Sequence, residues 1–371
     1  MFILGNNDIK VCFFGFYFRD YNRNIVLIKG LEKNGVLIRH CNAVLPLLKS
    51  PISIIKSFSK LVRCSKIISS CDVIFSAYPA WLSQPLAKLF SKFKNKPLIY
   101  DAFISIYDTA VYDKKEVDKD SLLARYYFYQ DRILASISDL VILDTNAHIR
   151  YFSRVFDLPI SKFRRVLVGA DDELFYPINV EKENTFDVMF WGTYLPLHGL
   201  EYIIEAAKIV EKEKNIVFHI IGKGPFYLDI LRLAKKFNVK NVKFIDPIPF
   251  EKLPKYLAYA DLCLGIFGTS GKARRVIPNK VYEALAMKKP IITGDTVGAR
   301  EILSHKNNSY LVKIGNAEAI ADAILELRDN TDLRMKIAEN GYKLFKEKLT
   351  PKAIGKEFKR YICEAIERSY S

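Results

Sequence analysis

Residues Gly265–Leu303 read GIFGTSGKARRVIPNKVYEALAMKKPIITGDTVGAREIL. A strand predicted over Leu262–Ile266 runs out at their start, and a Gly-rich, strongly basic loop with Lys272, Arg274 and Arg275 follows. Pro278-Asn279-Lys280 opens a helix predicted over Asn279–Met287, and Pro290–Thr293 is the next strand. Strand, loop, helix and strand in this order is the repeating unit of a parallel α/β sheet. The helix start offers free N–H groups and the positive end of a dipole, which together make an anion site. Lys280 in the first turn opposes that dipole, and a bound phosphate accounts for its being there. Glu283, about one turn on, can accept two hydrogen bonds from a ribose diol. The same residues also read as a solvated basic loop before an ordinary helix.

Outward from this stretch the alternation continues in both directions. Strands are predicted at Phe186–Trp191, Val217–Ile221, Val242–Ile245 and Ser309–Val312, with helices at Leu200–Lys212, Phe226–Phe237 and Leu253–Ala260. An earlier series has strands at Lys10–Phe16, Val36–His40, Val73–Ala77, Pro97–Asp101, Leu140–Leu143 and Arg165–Val168, with helices at Ile52–Ser69 and Leu122–Ser136. Between the series, Asp171–Asn184 loses periodicity and carries Pro177. A chain of 371 residues exceeds what one core usually serves. The expectation is two doubly wound α/β domains, 1–172 and 186–349, joined by a linker at 173–185 and followed by a helix at 350–371. Thr350-Pro351 is a cap followed by proline at the first helical position. Ligands on such sheets bind beyond the carboxyl ends of the strands.

The Gly265–Leu303 stretch resembles the donor-binding segment of retaining GT-B glycosyltransferases of family 4 (glycosyl transferases group 1). Phe190-Trp191-Gly192-Thr193 with Leu197-His198-Gly199-Leu200, the turn Ile221–Pro225, Phe244–Pro249 and Ala284–Ile292 are similar to other segments of that family. The resemblance implies two Rossmann-like domains facing across a cleft, with the C-terminal helix returning to the first. It implies Glu283 on the nucleotide ribose, and the nucleotide-sugar donor is expected to be held by Gly15, Thr193, His198, Ile248, Lys272, Arg275, Asn279, Lys280 and Glu283. Two departures stand out. The family's diphosphate-gripping Arg and Lys correspond here to Thr193 and His198. The first of its two glutamates, eight positions before Glu283, corresponds to Arg275. Lys272, Arg275 and Lys280 are therefore expected to supply the phosphate-binding charge, Arg through a bidentate fork.

In the first domain, Gly15 ends a strand without a GxGxxG pattern, so no dinucleotide fingerprint is present. Arg19 and Arg23 could meet phosphate or acceptor, or be solvated. Asp101, at the end of a central strand, is the candidate acceptor-side base, with Asp108 second. His148 reads as structural. The chain carries +16 overall, and Lys49–Lys96 holds nine cations against Asp72 alone. Trp81, Leu82, Leu86, Leu89, Phe90 and Phe93 edge that segment, a composition suited to an anionic membrane surface or to solvated helix faces. No RNA- or DNA-binding motif accompanies the charge, which argues against nucleic acid. Six cysteines without a CxxC pair fit reduced core thiols. The apolar start reads as a strand rather than a signal, and no run is long enough to span a bilayer. The location expected is the cytoplasm, peripheral to the inner face of a membrane.

The reaction expected is metal-independent transfer of a sugar from UDP or GDP to a hydroxyl of a glycan or lipid-linked acceptor, with retention. No cofactor is expected. A sugar-nucleotide epimerase on the same fold, or a nucleotide-binding protein without turnover, would share these features.

Overall fold

The computed structural model describes residues 9–45, 50–182, 184–213 and 215–370. The chain forms two compact units. The first takes the chain up to Tyr107, Val117–Val168 and everything from Thr350; the second takes Asp108–Glu116 and Gly169–Leu349. Lys49 and Glu183, which fall in the basic segment and the expected linker, lie outside the described residues.

The first unit is built on six parallel strands: β1 (Lys10–Gly15), β2 (Leu37–Asn42), β3 (Val73–Ser76), β4 (Leu98–Asp101), β5 (Leu140–Leu143) and β6 (Phe163–Arg165). Their order is β2-β1-β3-β4-β5-β6, so the winding reverses between β1 and β3. Strands buried on both faces need continuous apolar runs, and β3 and β5 are buried throughout. The C-terminal helix Pro351–Tyr370 packs on helix Asn22–Glu32, where Gly30 and Gly355 meet backbone to backbone. Thr350 Oγ1 accepts from the Ala353 N–H at 3.3 Å as its cap.

The second unit has β7 (Phe186–Trp191), β8 (Ile216–Ile221), β9 (Val242–Ile245), β10 (Leu262–Leu264), β11 (Ile291–Gly294) and β12 (Tyr310–Val312). All are parallel in the order β12-β11-β10-β7-β8-β9. Winding reverses between β7 and β10, and that puts the expected ligand crevice at the loops after Trp191 and Leu264.

Three sequence expectations are corrected here. The sixth strand is Phe163–Arg165, not Arg165–Val168, because its neighbour β5 ends at Leu143 opposite Arg165, leaving the buried Val166–Val168 without a strand to pair with in that register. Ile52–Ser69 is two helices, Pro51–Val62 and Ser65–Ser69; the break at Arg63-Cys64 lets both Cys64 and Ile68 face the core. Of the residues edging the basic segment, Leu82, Leu86 and Phe90 pack on one core and Trp81 on another. Leu89 and Phe93 remain exposed.

Candidate active site

The turn after β7 and the helix after β10 bring one group of residues together at the reversal point of the second sheet. Helix Asn279–Ala286 has Pro278 as its N-cap and no acid in its first turn. Its side chains at Lys280 and Glu283, three apart and so on one face, are both buried. The Lys280 ammonium sits 4.1 Å from the Phe190 ring centre, a cation–π contact, and its Nζ has no hydrogen-bond partner. His198 packs edge-on to the same ring at 5.6 Å, and its Nδ1 is likewise buried and unpartnered. Both crowd Gly192: a Cβ there would lie 3.5 Å from Lys280 Nζ and 3.6 Å from His198 Cε1. Gly192 takes φ 135°, a value that favours glycine. Gly222, at φ 122°, approaches the Gly192 carbonyl so closely that a side chain would strike it. Glu283 accepts a short hydrogen bond from the Trp191 indole N–H.

The electrostatics follow from burial. Desolvation pushes Lys280 down to about 7, against an opposing pull from Glu283. Desolvation pushes Glu283 up to about 7, against the Trp191 hydrogen bond and Lys280. His198 is held well below the usual imidazole value, first by burial, then by Lys280, with a hydrogen bond to the Thr193 backbone acting in the other direction. A neutral imidazole and a desolvated ammonium, each with an unused polar atom, make a buried site that gains from an anion.

The expected cations divide. Lys272 lies in the short helix Gly271–Arg275, whose Ala273 packs on Leu197 next to His198, and its charge also depresses the His198 value. Arg275 does not supply free charge: its Nη2 holds both oxygens of Asp108 at 2.7 Å. Thr193 is exposed and Asn279 half-buried in the same two loops. Ile248 lies after β9, two strands from β7.

In the first unit, Asp101 is fully buried and gripped by Arg23 through contacts of 2.8–3.0 Å. A base must reach a proton, and this carboxylate is committed to a guanidinium that also donates to the Val166 carbonyl at 3.1 Å. Asp101 and Arg23 therefore make a buried ion pair, which counts against the base role expected for the acid. Asp108 is likewise taken, by Arg275. Gly15, at φ 126°, lies against the Ser83 side chain, where a Cβ would strike Ser83 Oγ. His148 is buried with Nδ1 2.8 Å from Asp144, and Arg19 is exposed. All six cysteines are free, and Cys12, Cys41, Cys64 and Cys71 share one apolar core. Among the described residues no group of three His, Cys, Asp or Glu side chains is placed to hold a metal ion.

Sequence reasoning missed the Trp191 donor, the Phe190 ring beneath Lys280 and the docking of residues 108–113. The Phe-Trp pair closing β7 was the available signal, since both side chains of a strand-end dipeptide are buried only where something covers both faces.

Residues 171–344 match the family described as glycosyl transferases group 1. That match spans just under half of the chain. The match contains the whole Trp191–Glu283 group. An uncharacterized glycosyltransferase of Methanocaldococcus jannaschii is 24% identical over 231 residues, 62% of this chain and 60% of that protein. The capsular polysaccharide biosynthesis glycosyltransferase CapM of Staphylococcus aureus is 28% identical over 181 residues, 47% of this chain and 45% of that protein. The chain thus spans less than two thirds of these two curated relatives. Among solved structures, HepE from Anabaena in complex with UDP-glucose superposes with a TM-score of 0.70 at 16% identity, covering 97% of this chain and all of that one. Sucrose-phosphate synthase from Thermosynechococcus elongatus gives 0.73 at 15%, covering 97% of this chain and 100% of that one. The fold is GT-B, and the family match over 171–344 together with these relatives supports a transferase enzyme.

Proposed function

We propose that the chain transfers a sugar from a nucleoside-diphosphate sugar, UDP first and GDP second, to a hydroxyl of a glycan or lipid-linked acceptor. The observation that carries this reading is the pair of buried, unpartnered polar atoms, Lys280 Nζ and His198 Nδ1, beside a carboxylate on the next helical turn. A diphosphate at Gly192 satisfies both atoms, with Lys272 as a second cation. Glu283, already oriented by Trp191, then takes the ribose hydroxyls. As the glycosidic bond breaks, negative charge grows on the diphosphate, and fixed cations in a desolvated pocket stabilise it. The reading assigns this task to side chains without a metal and keeps retention as the stereochemical expectation. UDP leads because HepE binds UDP and UDP-glucose.

The acceptor side is proposed to be a peripheral membrane platform. Helix Pro51–Val62 exposes Ile52, Ile55 and Val62 together with Lys56 and Lys60, and Leu89 and Phe93 are exposed among Lys88, Lys92 and Lys94. Apolar residues among cations suit an anionic bilayer. Among the described residues no helix is long and apolar enough to cross a membrane.

Titration calorimetry with UDP, GDP and ADP tests the donor site. A diphosphate response abolished by Glu283→Ala is expected, and silence toward every nucleotide overturns the reading. Release of UDP from UDP-sugars only when an acceptor is added separates transfer from epimerisation and from binding without turnover. Co-sedimentation with anionic but not neutral vesicles tests the platform.

A further inference from the structure

Residues Asp108–Asp113 form a single π-helical turn that belongs to the second unit, although the chain on both sides of it belongs to the first. Three of its side chains meet one six-residue stretch of the second unit, Ser270–Arg275. Asp108 holds Arg275 through both carboxylate oxygens at 2.7 Å. Thr109 Oγ1 accepts from Lys272 Nζ at 2.8 Å. Asp113 Oδ1 accepts from Ser270 Oγ at 2.7 Å. The partner stretch is itself locked to the pocket, because Ala273 packs on Leu197 and Ile266, and the Phe267 N–H donates to the His198 carbonyl at 3.0 Å.

We propose that Asp108–Asp113 is a strap forming part of the donor pocket, docked on Ser270–Arg275 to hold Lys272 beside His198, with Asp108 as its positioning residue. The inference rests on the nucleotide reading for what the pocket binds, while the docking itself stands on the contacts above. Ion pairs and hydrogen bonds dominate the contact. Val111 is the strap's one buried aliphatic side chain, and Asp113 Oδ2 is buried without a partner. A segment fastened in this way opens locally at lower cost than a core element. Removing the Asp108 charge releases Arg275, loosens the turn and lets Lys272 leave the pocket.

The test uses the full chain and UDP. Asp108→Asn is expected to weaken UDP binding about tenfold, the scale of one charge-assisted hydrogen bond. It should also raise amide hydrogen exchange across 108–116 without nucleotide, with thermal unfolding little changed. Thr109→Val, which keeps the shape and removes only the hydroxyl, should weaken UDP in the same direction by less. In a Lys272→Met background, Asp108→Asn should alter UDP affinity by less than about twofold, since the group it positions is gone. Equal loss in both backgrounds, tighter UDP binding, or unchanged exchange at 108–116 each overturns the strap. If the parent protein binds no nucleotide, the donor reading fails instead, and exchange at 108–116 still reports on the docking.

Discussion

Replacing Lys280 with methionine tests the pocket most sharply, because stability and binding should move in opposite directions. Methionine keeps most of the side-chain length over Phe190 and removes the charge. In the folded chain the ammonium titrates near 7, against 10.5 when unperturbed. A gap of roughly 3.5 units corresponds to about 4–5 kcal/mol of disfavoured charge, taking ~1.4 kcal/mol per unit. The attraction to Glu283 is already contained in that value, so a net stabilisation of at least about half of it, on the order of 2 kcal/mol, is expected. For a domain of this size that is roughly 4–8 °C in Tm. Nucleotide binding should suffer: a hydrogen bond to a charged group contributes ~1.5–3 kcal/mol, so the Kd for UDP rises about 10- to 150-fold. Differential scanning fluorimetry with and without UDP reads both effects in one experiment. The reasoning predicts a higher Tm in buffer and a lost or much reduced shift with UDP. A lower Tm in buffer with the UDP shift intact would refute it, since Lys280 would then be a stabilising structural cation.

Four further outcomes are expected. UDP affinity should fall by up to tenfold per unit between about pH 7.5 and 9, because binding requires the Lys280 proton; calorimetry across that range should show proton uptake, and Lys280→Met should flatten the slope. Without ligand the sign reverses: the unfolded lysine keeps its proton to about 10.5 and the folded one releases it near 7, so stability from this group rises with pH across that window. Gly222→Ala should cost at least 1–3 kcal/mol, because φ of 122° and the nearby Gly192 carbonyl both oppose a Cβ, and chemical denaturation will measure it. Arg23→Met should destabilise the first unit by about 3–5 kcal/mol by orphaning Asp101, and a paired Arg23→Met, Asp101→Leu variant should recover most of it, provided the pair is structural rather than catalytic.

The alternation of apolar runs with amphipathic stretches located eleven of the twelve strands and shifted only β6, because burial of the central strands on both faces demands an unbroken apolar run that is visible locally. Lys280 and Glu283 were legible for a similar reason: three positions apart on a helix, they share a face wherever that helix goes. The remaining contacts depend on chain segments far apart in sequence. Trp191 and Glu283 are 92 residues apart, Arg23 and Asp101 are 78, and Asp108 and Arg275 are 167. Nothing in a one-dimensional pattern distinguishes an aspartate that faces a cleft from one that closes a buried ion pair, and so Asp101 was expected to be a base and Arg275 a phosphate ligand. By itself the sequence determined two parallel α/β sheets and a basic, acid-bearing helix start after β10. Tertiary structure alone decided which charges are spent on each other and which remain for a ligand, because that depends on the partner that packing delivers.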